Sequence, residues 1–499
     1  MPSVFFLRRG ATTCMIVTAA LALTTASPAL AQQPAVAEWQ FLESSTTPPT
    51  ESACYAAGIR CFTPQAMQNA YNIPPLYTQG FTGKGKTIAV IDSFGSSTIA
   101  NDLNVFSTAF GLPHLCGEAG VTCSPGMPTF RILQVQGSPP PNPPPPNHGT
   151  GKENHNLWAI EVSLDVEWAH AIAPQANILL VTTPTAETQG VQGFPQMMNA
   201  IQYVVDNHLA DVISMSLAST EGNFSSASLM GLRGAFVDAQ ANRITVIAST
   251  GDSGTSNPGK TRVKNSGVIP YPSVGWPASD PLVTAVGGTR LCMDATTGLM
   301  VDNTSPPTVC QVFLGRREIG WPFSGGGYSI LFARPAFQTT LPPGSTYVGS
   351  SVGAPGPNSN MRGVPDVSFQ ASSGTGPLVY MSEPATTSSG TGCGGADPCS
   401  IGWYVVGGTS CSAPQWAGLV AIADQMAGSD LGYINPALYA IAADPSKYAH
   451  DFFDVTVGSN QVSSIPGYPA SPGWDAITGL GSPNAMNLLP DLVQAASGH

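Results

Sequence analysis

The amino-acid sequence predicts a single large α/β domain built on a parallel β-sheet with helices on both faces. Short apolar runs of strand length alternate along the chain with longer helix-like segments. The runs are apolar throughout rather than at every second residue, which is typical of parallel strands buried on both faces. After a predicted 31-residue signal, 468 of the 499 residues remain, enough for one large domain with long loops.

The predicted elements alternate regularly in chain order, and polar residues follow several of the strands. The expected strands are Thr87–Asp92, Asn177–Val181, Asp211–Ser216, Ile244–Ala248 and Leu282–Val286, and the expected helices are Ser97–Phe110, about Pro195–His208 and Ser225–Asn242. Ligands of such sheets bind beyond the carboxyl ends of the strands. We expect Asp92, Ser216 and Asp252 to lie at that edge.

The N-terminal residues have the pattern of a secretory signal peptide. The pair Arg8–Arg9 precedes an apolar run over Cys14–Leu23, and Ala29–Ala31 has small residues at the spacing of a cleavage site. The arginine pair also permits a twin-arginine export signal. The apolar run is too short for a membrane anchor. We expect residues 1–31 to be removed and the protein to be secreted, extracellular and not attached to a membrane.

Residues 32–61 are expected to be a short leader or linker. The part up to about Ser52 is rich in Gln, Ser, Thr and Pro and is predicted to be flexible. The ten-residue proline-rich segment 138–147 is predicted to be a stiff surface loop.

Cysteine spacing agrees with export. Nine cysteines follow the signal, and eight of them fall into local couples, which suggests four disulfides although sequence alone does not prove the pairing. The ninth, Cys411, is interpreted as a small buried thiol. The couples are Cys54/Cys61, Cys116/Cys123, Cys292/Cys310 and Cys393/Cys399.

The charge composition favours an acidic environment and argues against nucleic acid as a partner. Charged residues are only 10% of the chain, with 30 acidic against 18 basic residues. A chain with few carboxylates acquires less self-repelling charge in acid. A basic surface of the kind that binds nucleic acid is not indicated.

The stretch around Ser410 is the strongest candidate for catalysis. Ser410 lies in Gly-Gly-Thr-Ser-Cys-Ser-Ala-Pro, directly before an apolar helix-like run. A serine on a glycine-rich turn at the start of a helix lies close to backbone N–H groups that can stabilise an oxyanion. A helix-capping serine is the alternative interpretation, and a nucleophile would need a base elsewhere in the chain.

Two kinds of base are available in the sequence. His148 follows the Asp92 strand and precedes Ser410, which is the Asp, His, Ser order of subtilisin. Glu161 and Asp165 are four residues apart in a segment with helical spacing, so both carboxylates lie on one helix face. Two partly buried carboxylates tend to share a proton, and such a pair could accept the Ser410 proton in acid. A surface helix with solvated carboxylates is the alternative.

Asp252 is the third candidate, in a Gly-Asp-Ser-Gly turn that follows a buried strand. A protonated aspartic acid there could donate a hydrogen bond to an oxyanion. An ordinary Asx turn is the alternative interpretation.

Taken together, these segments resemble the sedolisin family of serine-carboxyl peptidases. The resemblance covers 62–499 and includes further motifs in the family's order. They are Thr63-Pro-Gln, Ala70-Tyr-Asn-Ile-Pro-Pro, the Gly83-Lys-Gly-Lys segment before Thr87, Ser324-Gly-Gly-Gly-Tyr and Arg362-Gly-Val-Pro-Asp-Val. The resemblance implies a subtilisin-like, doubly wound α/β fold.

The resemblance also implies the roles of the site residues. Ser410 would be the nucleophile, Glu161 the general base and acid, Asp165 its orienting partner and Asp252 the oxyanion donor. The pair Ser216–Leu217 would lie along the substrate backbone.

A C-terminal calcium site is implied as well. Phe453-Asp454-Val455 and Ser471-Pro-Gly473-Trp474-Asp475 resemble the family's motif for one structural Ca²⁺. Carboxylates and turn carbonyls are hard oxygen ligands that suit this ion. The implied ligands are Asp454 and Asp475 with the carbonyls of Val455, Ser471 and Gly473.

Three departures from the family pattern stand out. Only 31 residues separate the predicted signal from Thr63, so a full-length propeptide is not expected. Some members extend the carboxylate network with a Glu and a Trp, and the corresponding positions here are Asp92 and Leu217. The proline-rich loop is an insertion of unassigned role.

The expected function is that of a secreted, acid-active endopeptidase that acts on polypeptides as a monomer. A tripeptidyl-peptidase of the same family is one alternative. A non-catalytic binding protein on the same fold is another, although Ser410, Glu161, Asp165 and Asp252 are all present.

Overall fold

The structure is a computed structural model that describes residues 38–136, 155–185, 193–259, 267–301, 304–345, 347, 360–384 and 400–497, without the side chains of 155 and 156. The predicted signal, the proline-rich loop, His148 and the Cys393/Cys399 couple lie outside the described residues. The predictions made for them are therefore not tested.

Seventeen strands are present in the described residues. They are β1 (Glu38–Glu43), β2 (Thr87–Ser93), β3 (Phe130–Gln134), β4 (Asn177–Thr183), β5 (Val212–Met215), β6 (Ser219–Thr220), β7 (Thr245–Ser249), β8 (Gly275–Trp276), β9 (Thr284–Leu291), β10 (Glu318–Gly320), β11 (Gly327–Ala333), β12 (Met361–Val364), β13 (Val367–Gln370), β14 (Leu378–Met381), β15 (Gly402–Gly407), β16 (Phe452–Phe453) and β17 (Ser482–Pro483).

Thirteen α-helices accompany them in the same part of the chain. They are α1 (Glu51–Ala56), α2 (Pro64–Ala70), α3 (Pro74–Thr78), α4 (Ile99–Phe110), α5 (His155–Ile172), α6 (Phe194–Asp206), α7 (Ser226–Leu232), α8 (Gly234–Ala241), α9 (Thr308–Val312), α10 (Thr409–Ala427), α11 (Asn435–Ala442), α12 (Pro445–Asp451) and α13 (Ala485–Ala496).

The central sheet is parallel apart from one edge strand. Its order is β3-β4-β2-β5-β7-β9, and β9 also pairs with β13, which is parallel to it, and with β10, which is antiparallel. β2 pairs with β4 on one side and β5 on the other, so the chain order reverses around β2. This is the doubly wound arrangement, and its binding crevice is expected at the carboxyl end of the strand where the order reverses.

Helices cover both faces of the sheet, as predicted. Along β2, Ile88 and Val90 contribute to the hydrophobic cluster that includes α5 and α10, whereas Ala89 and Ile91 contribute to the cluster that includes α6 and α8. Side chains alternate between faces along a strand, so an entirely apolar strand supplies both cores at once. The fold class predicted from the apolar runs is confirmed.

The predicted helix over residues 225–242 is two helices, α7 and α8. They meet at Arg233, between Gly231 and Gly234. Glycine weakens a helix interior, and the Arg233 guanidinium forms a bidentate ion pair with the buried Asp280 at 2.5 and 2.9 Å. The break therefore allows Arg233 to reach across to this carboxylate.

The prediction of a flexible leader is wrong for residues 38–43, which form β1. β1 pairs antiparallel with β15, and the rings of Trp39 and Phe41 pack edge-on against Tyr404, with ring centroids 5.8 and 5.2 Å apart. An unpaired edge strand leaves backbone groups unsatisfied. β1 covers that edge of β15, and its aromatic side chains stabilise the pairing.

Three of the predicted disulfides are present, and they connect Cys54 to Cys61, Cys116 to Cys123 and Cys292 to Cys310. Cys411 is a free, buried thiol, as predicted. Disulfides of this kind persist in oxidising compartments. None of the helices in the described residues has the length and apolar character needed to cross a membrane.

Asp424, near the end of α10, provides a test of how burial couples stability to pH. Its carboxylate accepts the N–H of Leu431 at 2.8 Å, and burial raises its pKa to about 8. An exposed aspartate has a pKa of about 4. Between these values the folded protein retains a proton that the unfolded chain has released, so stability decreases as the pH rises.

We predict that Asp424→Asn removes part of this loss of stability at high pH, because the amide cannot ionise. The amide oxygen can still accept the hydrogen bond from the Leu431 N–H. The variant should gain at least about 1 kcal/mol at pH 8, or about 2 °C in Tm, and should match the parent at pH 4. Calorimetry across pH 4–8 measures this, with exposed Glu43→Gln as the control variant. Parallel Tm profiles for Asp424→Asn and the parent would contradict the prediction.

Candidate active site

The residues singled out by the sequence meet at the carboxyl edge of the parallel sheet. Asp92 ends β2, Ser216 follows β5, and Asp252 follows β7. Ser410 begins α10, and Glu161 and Asp165 lie on α5, which packs along α10. Segments far apart in sequence thus converge because parallel strands end at the same edge.

Ser410 occupies the second position of α10, directly after the end of β15. Gly408 between them has φ +137°, a left-handed backbone conformation that favours glycine. It allows the chain to turn sharply from strand to helix. The first N–H groups of a helix have no partner within that helix, so the turn places Ser410 next to potential oxyanion donors.

Glu161 and Asp165 lie on one face of α5, as their spacing predicts, but neither is solvated. Both are fully buried, because α5 is enclosed by the sheet on one side and α10 on the other. The alternative of a surface helix is therefore wrong for this segment. All four carboxyl oxygens lack a hydrogen-bond partner among the described residues.

Burial sets the protonation of this pair. It raises the pKa of Glu161 well above its usual range, and the charges of Asp165 and Asp92 raise it further. Burial and the Asp92 charge raise the pKa of Asp165 in the same way. Closely spaced carboxyls in a low-dielectric site resist joint ionisation. As a group, Asp92, Glu161 and Asp165 therefore lose their protons one after another, and at higher pH than exposed carboxyls do.

Hydroxyl groups lie beside both members of the pair. The Ser410 hydroxyl partly offsets the raised pKa of Glu161, and the Ser216 hydroxyl does the same for Asp165. Neither contact has the geometry of a formed hydrogen bond. Catalytic hydrogen bonds are often loose until substrate binds, so the arrangement is compatible with the predicted nucleophile and base.

Asp92 belongs to the same group. It is fully buried, burial raises its pKa, and its charge acts on both Glu161 and Asp165. The sequence left open whether the carboxylate network was lost at position 92, and the structure places the Asp92 carboxyl beside the other two. In the sequence, this role was indicated by the position of Asp92 near the end of β2, where the strand order reverses.

Leu217, at the position where some members of the family have a Trp, adds no polar group to the carboxylate network. Its side chain is fully buried in the hydrophobic cluster that includes α6 and α8. Ser216 is also fully buried, and the predicted position of Ser216–Leu217 along a substrate backbone stays a prediction.

Asp252 is held by the helix that carries the serine. Its Oδ1 accepts the Thr409 N–H at 2.7 Å and the Thr409 hydroxyl at 2.9 Å. Asp252 also acts electrostatically on Glu161. The turn after β7 is thus tied to the start of α10, and an isolated Asx turn does not describe it.

The glycine-rich motif 324–327 supports this turn from the other side. The N–H of Gly325 donates to the carbonyl of Gly251 at 2.8 Å, and that of Gly254 donates to Phe323. A Cβ on Gly325 would lie 2.1 Å from the carbonyl oxygen of Thr250. Only glycine permits so close an approach, so this motif positions the Asp252 turn.

The second central motif has a structural role. The Arg362 guanidinium pairs with Asp366 through two hydrogen bonds of 2.6 and 2.7 Å, with both side chains buried. Asp366 also accepts the N–H of Ala285 on β9 and the hydroxyl of Tyr439 on α11. The ion pair therefore joins the sheet to the C-terminal helices and does not reach the serine.

Cys411 is not a second nucleophile. Its thiol is fully buried and directed at the carbonyl of Val406, and burial together with the charge of Glu161 raises its pKa. A nucleophilic cysteine requires a lowered pKa, so the prediction of an inert thiol agrees with the structure.

The residues of the expected calcium site lie on two neighbouring turns. Asp454 accepts the N–H of Gly473 at 3.1 Å, and Asp475 accepts the N–H groups of Ile477, Thr478 and Ser471 at 2.8–3.1 Å. Burial raises the pKa of Asp475 to about 7. The turns are thus cross-linked through their carboxylates.

The donor chemistry of these turns fits a hard cation. The carboxylates of Asp454 and Asp475 and the turn carbonyls are oxygen ligands. Asp454 and Val455 line a cavity of about 580 Å³ that is also lined by Arg316 and Arg317, whereas Asp475 does not line it. The described residues contain no group of three or more His, Cys, Asp or Glu side chains suited to a metal. An ion here would therefore depend on backbone carbonyls in addition to the two carboxylates.

The chain is similar to several known proteins. The model of the subtilase family matches residues 148–436. Kumamolisin from Bacillus sp. (strain MN-32) is 31% identical over 460 residues, which is 90% of this chain and 66% of kumamolisin. Human tripeptidyl-peptidase 1 is 27% identical over 366 residues, which is 69% of this chain and 53% of the relative.

A solved structure is similar over most of the chain. It is Pseudomonas sedolisin, described as a serine-carboxyl proteinase complexed with two molecules of pseudo-iodotyrostatin, with a TM-score of 0.60 and 25% identity. The alignment covers 87% of this chain and 98% of the sedolisin chain. The chain spans just under two thirds of the length of kumamolisin and about half that of tripeptidyl-peptidase 1.

Proposed function

The chain belongs to the sedolisin group of the subtilase family, and from this we propose that it is a serine-carboxyl peptidase that hydrolyses polypeptides through an acyl-enzyme on Ser410. The observation that carries the proposal is the position of Ser410 at the start of α10, beside the buried pair Glu161 and Asp165. A binding protein on this fold would have no need of buried carboxyls next to a serine, because burying them without partners costs free energy.

In the proposed reaction Ser410 attacks the carbonyl carbon of the scissile bond while its proton passes to Glu161. Asp165 shares a proton with Glu161 and orients it, and Asp92 adds a further carboxyl to the network. Glu161 then gives the proton to the leaving amine, and the acyl-enzyme remains. Water then attacks the acyl-enzyme while one of its protons passes to Glu161. The ester bond to Ser410 breaks, Glu161 returns the proton to the serine oxygen, and the carboxylic acid product leaves.

The oxyanion is proposed to be stabilised by Asp252 in its protonated form and by backbone N–H groups at the start of α10. A neutral carboxylic acid can donate a hydrogen bond to the developing charge, whereas a carboxylate would repel it. This requirement, together with the proton shared by Glu161 and Asp165, supports activity in acid. A histidine base would already be charged under those conditions.

We propose an endopeptidase rather than a tripeptidyl-peptidase. The similarity to the sedolisin described as a proteinase extends over 87% of the chain, while that to tripeptidyl-peptidase 1 extends over 69%. A peptide with an acetylated N-terminus separates the two activities, since an enzyme that requires a free terminus leaves it intact. Secretion is proposed from the signal pattern and the disulfides, and the enzyme is proposed to act as a monomer on polypeptide substrates.

We also propose that one structural Ca²⁺ binds between Asp454 and Asp475, completed by the carbonyls of Val455, Ser471 and Gly473. The ion would supply positive charge that offsets two carboxylates on adjacent turns. Its role is to hold the C-terminal turns together, and no step of the reaction passes through it.

Variants of the nucleophile and the base provide the direct test of the chemistry. With an acetylated peptide at pH 4, Ser410→Ala and Glu161→Gln should each lower kcat by about 10⁴-fold or more, and the double variant should be little worse than either. The reason is that both groups act in the same step. Products are measured by mass spectrometry, and His148→Ala serves as the control with nearly full activity.

Two results would overturn parts of this assignment. Loss of turnover in folded His148→Ala with activity kept in Glu161→Gln would replace the carboxyl base with a histidine. If the enzyme released tripeptides only from free N-termini and left the acetylated peptide intact, it would be a tripeptidyl-peptidase.

The pH profile tests the role of Asp252. Activity should decline towards neutrality because Asp252 and the Glu161/Asp165 pair lose their protons. Asp252→Asn retains a hydrogen-bond donor that needs no proton, so it should keep more kcat/KM than Asp252→Ala, and its alkaline limb should move to higher pH. The measurement is kcat/KM from pH 2 to 8, and a parent optimum at or above pH 7.5 would refute this account.

Calcium removal should lower stability rather than stop the chemistry directly. An ion present at about 100 times its Kd stabilises the folded state by about 2.7 kcal/mol. Asp475 has a raised pKa, so protons compete with the ion and the effect should be larger at pH 6 than at pH 4. Chelation at pH 6 should therefore reduce the Tm measured by calorimetry.

Asp454→Asn is the cleaner variant for this site. It removes charge while an oxygen remains to accept the Gly473 N–H, whereas Asp475→Ala would also lose the hydrogen bonds of its own turn. The Tm of Asp454→Asn should respond less to chelator than that of the parent. An unchanged Tm after verified removal of all metal from the parent would reject the site.

A further inference from the structure

Thr409 makes a closed set of hydrogen bonds with the Asp252 turn. Its hydroxyl oxygen accepts the N–H of Gly251 at 2.9 Å and lies 2.9 Å from Oδ1 of Asp252. Because a lone pair of the hydroxyl is used by Gly251, its own hydrogen is free to point at Oδ1. The backbone N–H of Thr409 donates to the same oxygen at 2.7 Å.

These contacts distinguish the two oxygens of the Asp252 carboxyl. A carboxyl oxygen has about two acceptor positions, and two donors from Thr409 fill both positions on Oδ1. A proton on Oδ1 would face those donors. When Asp252 is protonated, its acidic hydrogen is therefore restricted to Oδ2.

We propose that Thr409 is a positioning residue, which holds Oδ1 of Asp252 as an acceptor and thereby keeps the acidic proton on Oδ2 for the oxyanion. The proposal rests on the proposed function, in which Asp252 is the oxyanion donor. It adds a reason why the residue directly before Ser410 carries a hydroxyl. The Asp252 proton stays on Oδ2 throughout, so no proton transfer occurs in this step.

The neighbouring structure makes this placement rigid. Gly251, the donor to the Thr409 hydroxyl, is held through its carbonyl by Gly325. A Cβ on Gly288 of β9 would lie 3.3 Å from the methyl carbon of Thr409, so this methyl group rests against the backbone of β9. The hydroxyl consequently has a fixed direction, which preorganises the donor before charge develops.

The consequence for the enzyme is a link between the nucleophile and the oxyanion donor. Thr409 and Ser410 are consecutive in α10, so any shift of the serine also shifts the anchor of Asp252. Ser410, which attacks the carbonyl carbon, and Asp252, which donates to the carbonyl oxygen, are thus positioned by the same rigid helix start.

The test compares Thr409→Ser with Thr409→Ala, which differ from each other only by the hydroxyl. Thr409→Ser should retain kcat/KM within about threefold of the parent. Thr409→Ala should lower kcat/KM by about 10–100-fold, which is less than the loss expected when a whole oxyanion donor is removed. Its alkaline limb should move to higher pH, because the lost donor favoured the ionised carboxylate. Tm measurements confirm folding, and Thr409→Val is used if the alanine variant is unfolded.

Combination with Asp252 variants shows whether Thr409 acts through that residue. In an Asp252→Ala background, Thr409→Ala should cost less than about threefold, since no carboxyl remains to be oriented. In an Asp252→Asn background, the shift of the alkaline limb should be absent because the amide does not titrate.

Three outcomes would be informative against the proposal. An equal loss of kcat/KM in Thr409→Ser and Thr409→Ala would show that the methyl group of Thr409, rather than its hydroxyl, is responsible. A full, additive loss in the Asp252→Ala background would show a purely structural role. Full activity of the single variant Asp252→Ala would instead refute the oxyanion role of Asp252. This result comes from a variant with an intact Thr409, so it is distinguishable from a failure of the Thr409 proposal.

Discussion

The burial of ionisable groups on α5 is the constraint on which the rest of the site depends. Glu161 and Asp165 are fully buried between the sheet and α10, where an unpaired carboxylate is costly. Burial raises the pKa of both carboxyls and disfavours their joint ionisation. The base proposed for Ser410 is therefore a single carboxylate beside a protonated partner, and this state depends on the packing that keeps α5 buried.

The same physical effect connects activity with stability. Burial also raises the pKa of Glu167 and Asp424, which lie outside the carboxyl cluster. Each such group stabilises the folded state less as the pH rises from acid towards neutrality. With only 18 lysines and arginines in the chain, few cations are available to compensate these carboxylates. Both the fold and the proposed reaction therefore favour acid.

The motifs that accompany the reactive residues act by positioning them. Gly325 permits the backbone of the glycine-rich motif to touch the Asp252 turn, and Thr409 ties the same turn to the start of α10. The Arg362–Asp366 ion pair joins the sheet to the C-terminal helices. These motifs are separated by long stretches of sequence, and only the three-dimensional structure distinguishes those that touch the site from those that support the fold.

The sequence by itself predicted the strands β2, β4, β5, β7 and β9 and their parallel sheet, because these follow from local apolar patterns. It also predicted the helix face shared by Glu161 and Asp165 and the position of Ser410 at a helix start. It did not reveal that residues 38–43 form a strand, since that depends on the exposed edge of β15. Nor did it decide whether the carboxyls of α5 and Asp92 were solvated or buried together. Burial is a property of what packs around a group, so only the tertiary structure decided that these three carboxyls are buried together.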